Sequence, residues 1–156
     1  MKNYKFRDTE IQLTIGLYTV YDFMGKEMPG LALLMTSLAN GQPEDEDDYD
    51  CALSVSFGEH IGIPNAFYVD TNNCPFAEDF LTQNNIAAKT NLTKHSGFCE
   101  YPLYVLTPEF IQDIKADASL SSQYYHEYET AVANYNPFDF CLLYTSPSPR
   151  DRSVSR

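Results

Sequence analysis

The chain has 156 residues, of which 44% are hydrophobic and 14% aromatic, so it can bury the core of one domain. Its 22 acidic and 10 basic residues give a formal net charge of −12. That charge argues against a sequence-independent nucleic-acid binder, which needs a basic face, and against docking on an anionic membrane. The sequence has no apolar run of membrane-spanning length and no secretory signal pattern, so we expect a cytoplasmic protein.

The first elements along the chain are predicted to be strands. Apolar and polar residues alternate from Ile11 to Tyr18, which indicates a half-buried strand after a short one that contains Tyr4 and Phe6. A connection over residues 25–30 leads to an apolar run over residues 31–38. The length of this run and its flanking glycines favour another strand.

An acidic loop is expected at residues 41–50. Six of the seven positions from 44 to 50 are acidic, and like charges this dense repel, so the loop should be solvated. The alternating stretch Cys51–Phe57 predicts a strand that pairs with residues 31–38 as a hairpin. The residues that would present this acidic tip to a partner are Glu44, Asp45, Glu46, Asp47 and Asp48.

The second half of the chain mixes strands with polar segments. A short strand is predicted at Phe67–Val69, and Lys89–Gly97 is predicted to be a polar loop. The Tyr- and Val-rich stretch Phe98–Leu106 predicts a strand. Pro102 favours an edge position for this strand, because proline cannot donate a hydrogen bond to a neighbour.

Helices are predicted after the strands. One starts near Cys74–Pro75 and ends at Asn84–Asn85, a second is capped by Thr107, and a third spans Ser119–Asn134. Together the elements predict an α+β fold: one domain over residues 1–140, with a small antiparallel sheet of about four to five strands and two or three helices. The C-terminal helices lie within residues 108–136.

Residues 141–156 are not expected to belong to the natural protein. Residues 141–151 agree codon by codon with a translated transposase-end adapter from short-read sequencing libraries, and the same frame continues to Arg156. We therefore expect an adapter-derived, disordered tail, and a natural chain that continues beyond Phe140. Without this tail three cysteines remain. Their odd number and their spacing predict no disulfide framework, which fits a reducing cytoplasm.

Two stretches resemble a known family: FYVDTNNCP at residues 67–75 and SGFCEYPLY at residues 96–104, with Leu17-Tyr18 after the first long strand. They resemble small uncharacterised bacterial proteins of domain of unknown function family 4313, over Phe6 to Leu106. The resemblance implies no activity, no cofactor and no catalytic residue. It also implies a bacterial context, because the family's members resemble cargo of mobile elements.

The segment Asp70–Pro75, between a strand and a helix, is the candidate functional motif. Asp and Asn side chains bind nearby backbone donors, so the segment is typical of a turn and helix cap. A reactive thiolate at Cys74 with His95 as its base is a second interpretation. The third interpretation is a zinc site formed by Cys74, His95 and Cys99, with Cys51 or Asp70 as the fourth ligand. The candidate residues are Asp70, Asn72, Asn73, Cys74, His95 and Cys99.

The last predicted helix carries Tyr124, Tyr125 and Tyr128, which either cover the sheet or form a partner surface. The sequence as a whole favours a non-catalytic accessory or protein-interaction module. Its partner would be a protein rather than nucleic acid or membrane, bound through the acidic tip or the tyrosine helix. One alternative is the thiol or metal site around Cys74. Another is a nucleic-acid mimic that inhibits a basic protein. The oligomeric state stays open.

Overall fold

The computed structural model describes residues 3–6, 8–39, 42–43 and 51–136. Within these ranges the chain forms nine β-strands and three α-helices, so the predicted α+β class is confirmed. The strands form two antiparallel sheets, where the sequence led us to expect one. The acidic residues 44–48 and the expected tail, residues 141–156, lie outside the described residues.

The first sheet is built on the alternating residues near the start of the chain. Its strands are β1 (Tyr4–Phe6), β2 (Thr9–Tyr21), β3 (Glu27–Ala39), β4 (Gln42–Pro43) and β5 (Cys51–Ala52). They lie in the order β1-β2-β3-β4, and β5 also pairs with β3. Ile11, Leu13 and Ile15 are buried, as the alternation predicts. The connection expected at residues 25–30 is shorter, because β3 already begins at Glu27.

The second sheet contains a strand that the sequence patterns did not show. Its members are β6 (Ser54–Val55), β7 (Ala66–Val69), β8 (Ala87–Ser96) and β9 (Cys99–Leu106), in the order β6-β7-β9-β8. The prediction of a polar loop at Lys89–Gly97 is wrong, since most of that segment is strand β8. Within this edge strand only Ala87 is buried, so neither face carries the apolar alternation that identifies a strand.

The edge position predicted for the strand with Pro102 is also wrong, because β9 lies between β7 and β8. Pro102 pairs with Thr93, directly after a register shift between Lys89 and Thr93. The pairing of β9 with β7 ends at Leu103. An irregular ladder on one side and the end of pairing on the other let an interior strand accommodate a residue without an N–H.

The predicted strand Cys51–Phe57 is divided between the two sheets at Leu53. Its first part, β5, pairs with β3 as the expected hairpin required, whereas β6 pairs with β7. Leu53 is fully buried at the crossing. Its N–H donates to the Leu33 carbonyl at 2.9 Å, and its carbonyl accepts from the Asp70 N–H at 2.8 Å. The sequence alternates without a break across Leu53 and so does not reveal this change of partner. In the structure the alternation is interrupted there, because the neighbouring residues Leu53 and Ser54 are both buried.

The helices are α1 (Ala77–Gln83), α2 (Pro108–Ala116) and α3 (Leu120–Ala133). Helices α2 and α3 begin where predicted. The hydroxyl oxygens of Thr107 and Ser119 accept from backbone N–H groups in the first turns, at 3.2 and 3.4 Å. Helix α1 starts later than Cys74–Pro75 but ends at Asn84 as predicted. None of the helices found in the described ranges is long and apolar enough to cross a membrane.

Helix α3 covers the edge of β2 beyond the short strand β1. The Ile15 N–H donates to the Ser121 hydroxyl oxygen at 3.0 Å, so a side chain of α3 satisfies a strand-edge donor. Tyr125 of α3 and Phe110 of α2 are buried in the same apolar cluster as Leu13 and Leu33 of the first sheet. The core therefore lies between the sheets and the helices, and α3 is part of its wall.

Candidate functional site

The segment predicted as the functional motif forms a tight turn between β7 and α1. Asp70 is buried, and its carboxylate accepts from the backbone N–H and the side-chain amide of Asn73, at 3.2 and 2.9 Å. The Cys74 N–H donates to the Asp70 carbonyl at 2.8 Å. Asn72 is exposed. The side chain of Asp70 accepts from donors within the segment itself, as a turn requires, but no side chain caps α1, whose N-cap residue is Phe76.

Cys74 is buried and forms a disulfide with Cys51. The prediction that the cysteines form no disulfide is therefore wrong. The pairing arises because the chain changes sheets at Leu53, which brings β5 against the turn that follows β7. Among the described cysteines, Cys99 remains outside a disulfide.

His95 and Cys99 lie near the turn of the β8–β9 hairpin but on opposite faces of it. His95 pairs across the strands with Glu100, with 3.2 Å between Nε2 and Oε2, and both side chains are exposed. Cys99 precedes Glu100, and successive strand residues point to opposite faces. The pKa of Tyr101 is raised mainly by burial and next by a hydrogen bond with Cys99. Within the described ranges, no three His, Cys, Asp or Glu side chains are grouped to hold a metal ion.

Two of the three tyrosines considered as a partner surface face the protein interior. Tyr125 and Tyr128 are buried, whereas Tyr124 keeps 36% of its surface exposed. The Tyr125 hydroxyl donates to Asn65 Oδ1 at 2.6 Å, and the Tyr128 hydroxyl oxygen accepts from the Asn65 N–H at 2.9 Å. Burial raises the pKa of Tyr125 to about 12, so its phenol remains a donor. These contacts match the alternative in which the tyrosines cover the sheet.

Exposed apolar side chains gather at the turn of the β2–β3 hairpin, a place that the sequence patterns did not indicate. We call residues 21–26 the β2–β3 tip. Tyr21, Phe23 and Met24 there expose 49%, 76% and 50% of their surfaces. Surface apolar residues that occur singly need no explanation, but three within four positions form a patch.

Asp22 ties the β2–β3 tip together. Its Oδ1 accepts from the N–H groups of Met24 and Lys26 at 2.9 and 2.8 Å, and its Oδ2 accepts from the Tyr135 hydroxyl at 2.9 Å. Burial alone would raise the pKa of Asp22, but these three hydrogen bonds lower it. Gly25 adopts a φ of +83°, which suits glycine. An aspartate three positions before a glycine is a turn signal that could have identified this site.

A cleft of about 400 Å³ opens between the two sheets, beside the β2–β3 tip. An ion pair of Lys94 with Glu59 lies on its wall, and the hydrogen bond to Glu59 raises the pKa of Lys94. His60 joins the cleft to the tip, since it lines the cleft and packs against Tyr135 with 4.7 Å between ring centroids. The aromatic and apolar residues of the wall include Tyr18, Phe57, Tyr68 and Leu92.

Comparison with known protein families finds a match over most of the chain. A family model described as "Domain of unknown function (DUF4313)" matches residues 18–129, a span that contains the β2–β3 tip, the cleft, the disulfide and the β8–β9 hairpin. No curated protein and no solved structure matches the chain.

Proposed function

The chain belongs to the DUF4313 family, a domain family of unknown function, and we propose that it is a non-catalytic module that binds a protein partner. The observation that carries this proposal is the exposed and internally hydrogen-bonded β2–β3 tip. Aromatic residues and methionine are enriched in protein interfaces, and Tyr21, Phe23 and Met24 present this chemistry to solvent.

The β2–β3 tip is also held in one shape before any partner arrives. The carboxylate of Asp22 accepts three hydrogen bonds, and the Asp22 N–H donates to the Lys26 carbonyl at 2.9 Å. A surface ordered in advance loses less conformational entropy when it binds, so more of the contact energy appears as affinity. Because Tyr135 follows α3, its hydrogen bond to Asp22 also holds the tip against the end of that helix.

The partner proposed is a protein with a basic surface. A net charge of −12 attracts a basic protein at long range and speeds the encounter, while the apolar tip supplies close contact. The acidic residues 44–48 stay part of the proposal as a second contact. Tyr124 is the residue of the tyrosine helix best placed to join, because it is exposed whereas Tyr125 and Tyr128 are buried.

A cytoplasmic location and an accessory role in a bacterial mobile element also remain proposals. The alternative of a thiol or metal site with Cys74, His95 and Cys99 has less support. The sulfur of Cys74 is joined to Cys51, and His95 and Cys99 lie on opposite faces of their hairpin.

Pull-down with three tagged forms of the chain tests the proposal in a bacterial lysate at low and high salt. The forms are the native chain, the double variant Phe23→Ser/Met24→Ser, and the control Phe98→Ser. The control removes a fully exposed aromatic residue from the turn of the other long hairpin. We expect one protein that the native chain and the control retain and the double variant loses. High salt should weaken its retention, because exposed charge pairs are screened.

With that partner purified, the double variant should weaken binding by about 10- to 100-fold, the scale of losing interface anchor residues. Equal binding by the native chain and the double variant would contradict a role for the tip. If the partner binds nucleic acid, and nucleic acid displaces the chain from it, mimicry becomes the better description of the same interaction.

A further inference from the structure

The cleft between the two sheets has the size and the walls of a small-molecule site. Its volume of about 400 Å³ lies within the range of about 300–1,000 Å³ that is usual for ligand pockets. Both sheets contribute apolar side chains to its walls: Val20 and Leu31 from the first, and Val55, Phe67 and Leu103 from the second. Such walls bury the body of a ligand, while a few polar groups fix its orientation.

Polar side chains in the cleft keep unused hydrogen-bond donors. The Lys94 ammonium has three N–H groups, and its hydrogen-bond partner is Glu59, which leaves two for a ligand. The Tyr68 hydroxyl makes no hydrogen bond to any residue that the structure describes. Ser56 Oγ accepts from the Gly58 N–H at 3.2 Å, so its own hydrogen remains available. All of these groups donate, so the ligand group that suits them is an acceptor.

The main donors are grouped around the ring of Phe57. Lys94 Nζ lies 5.4 Å from the ring centroid, and the Tyr68 ring packs edge-to-face against it with 5.4 Å between centroids. The aromatic face attracts the ammonium and keeps it at the cleft. The hydrogen bond to Glu59 raises the pKa of Lys94, so the ammonium stays charged. Burial lowers the pKa of His60, which also lines the cleft, so His60 is neutral at neutral pH.

Glu59 is the group that competes with a bound anion for Lys94. The Glu59 side chain is 65% exposed, whereas that of Lys94 is 32% exposed. An exposed ion pair contributes little to stability, and a carboxylate that leaves it regains its contacts with water. Lys94 is therefore the fixed half of the pair and Glu59 the exchangeable half.

We propose that the cleft binds a small carboxylate with an apolar body. The carboxylate takes the place of Glu59 and accepts from the Lys94 ammonium and the Tyr68 hydroxyl, and the apolar body lies between the sheets. A single negative charge matches the single ammonium of the site. None of the tip residues 21–26 lines the cleft, so this ligand is an addition to the protein partner proposed above.

Three probes of similar shape test which charge the site prefers: 4-phenylbutyrate, 4-phenylbutanamide and 4-phenylbutylamine. NMR titration of the full chain measures each dissociation constant and follows the methyl signals of Val55 and Leu103, with exposed Leu120 of α3 as the reference. We expect the carboxylate to bind about tenfold tighter than the amide and the amine, because hydrogen bonds to charged groups are the stronger ones. It should shift Val55 and Leu103 and leave Leu120 unchanged.

Equal binding of the three probes would overturn the proposal. So would binding of 4-phenylbutyrate that shifts Leu120 rather than the two cleft residues, or no binding of 4-phenylbutyrate at about 10 mM, a concentration that detects even weak association. None of these results depends on the pull-down.

A matched pair of lysine variants in β8 locates the bound carboxylate. Lys94→Met keeps an apolar stem but removes the ammonium, and it should weaken 4-phenylbutyrate by about tenfold. Lys89→Met removes the same charge from an ion pair with Glu78 outside the cleft, and it should leave binding unchanged. Equal effects of the two variants would show that the carboxylate does not bind Lys94.

Two further variants keep the test decisive if Lys94→Met does not fold. Tyr68→Phe keeps the ring that packs on Phe57 but removes the hydroxyl, and it should weaken 4-phenylbutyrate by about threefold. Glu59→Gln removes the competing charge and should tighten binding. Native affinity in both variants would contradict the proposed position of the carboxylate.

Discussion

The two long hairpins, β2–β3 and β8–β9, share an antiparallel topology but differ in what holds them. Hairpin β2–β3 buries one face in the core, and α3 covers part of its edge. Strand β8 is an exposed edge, and its hairpin closes through a two-residue turn in which Gly97 has a φ of +61°. Glycine at the first central position suits a type II′ turn, which matches the twist of the strands. Burial therefore sets the register of the first hairpin, whereas the turn sets that of the second.

The turns of the two hairpins also differ in how firmly contacts with the rest of the protein hold them. The β2–β3 tip is tied to the protein by Asp22, which accepts from the hydroxyl of Tyr135. In the other turn Phe98 is fully exposed, and the nearby contact of His95 with Glu100 is exposed to solvent. A patch held in one shape suits recognition better than a single aromatic residue on an exposed turn.

The largest expected difference between the hairpins is in the free energy of unfolding lost when a leucine is shortened, because one leucine is buried and the other is half exposed. Leu13→Ala in β2 should lower the free energy of unfolding by about 3 kcal/mol, because it leaves a cavity in the core. Leu92→Ala in β8, at a side chain 50% exposed, should change it by less than about 0.5 kcal/mol. Urea denaturation of both variants checks this. Similar losses would show that burial does not distinguish the two hairpins.

A smaller difference is expected at the turns. Asp22→Ala removes the acceptor of three hydrogen bonds, so the amide protons of Met24 and Lys26 should exchange faster with solvent. His95→Ala removes only an exposed contact with Glu100, which contributes little, and should leave exchange in its hairpin nearly unchanged. Hydrogen exchange followed by NMR measures both. Unchanged protection at Met24 and Lys26 would show that Asp22 does not order the tip.

The smallest difference is expected with pH, because each hairpin contacts one carboxylate whose pKa is lowered. Burial opposes the shift in both, but hydrogen bonds from Lys26, Tyr135 and Met24 lower the pKa of Asp22, and those from Tyr104 and Lys89 lower that of Glu78. The folded state therefore favours both charged forms. Their stabilisation is complete above the unfolded pKa values near 4 and is lost as the pH falls through the lower folded values.

Asp22→Asn and Glu78→Gln should each make stability less dependent on pH below about pH 4. Urea denaturation across that range measures the slope for each variant beside the native chain. A variant with the native slope would show that its carboxylate does not have a lowered pKa. A large difference between the two slopes would mean that the hairpins also differ electrostatically.

Local patterns were sufficient for the elements whose signals lie within a few residues of one another. The alternation in β2 follows from one buried face, and Thr107 and Ser119 mark helix starts because their hydroxyl oxygens accept from the first turn. Strand β8 left no such signal, because it is an edge whose exposed side chains follow no apolar alternation. The motifs at residues 67–75 and 96–104 were enough to identify the family, since a family resemblance depends on residue order alone.

The disulfide and the β2–β3 tip depend on contacts between residues that are distant in the chain. Cys51 meets Cys74 because the chain changes sheets at Leu53, and Asp22 meets Tyr135 because α3 ends beside the first hairpin. No spacing or periodicity encodes such contacts, since they form only when the sheets and helices pack together. Composition, strand period and helix caps therefore determine the fold class, whereas packing of the core places the tip, the cleft and the disulfide.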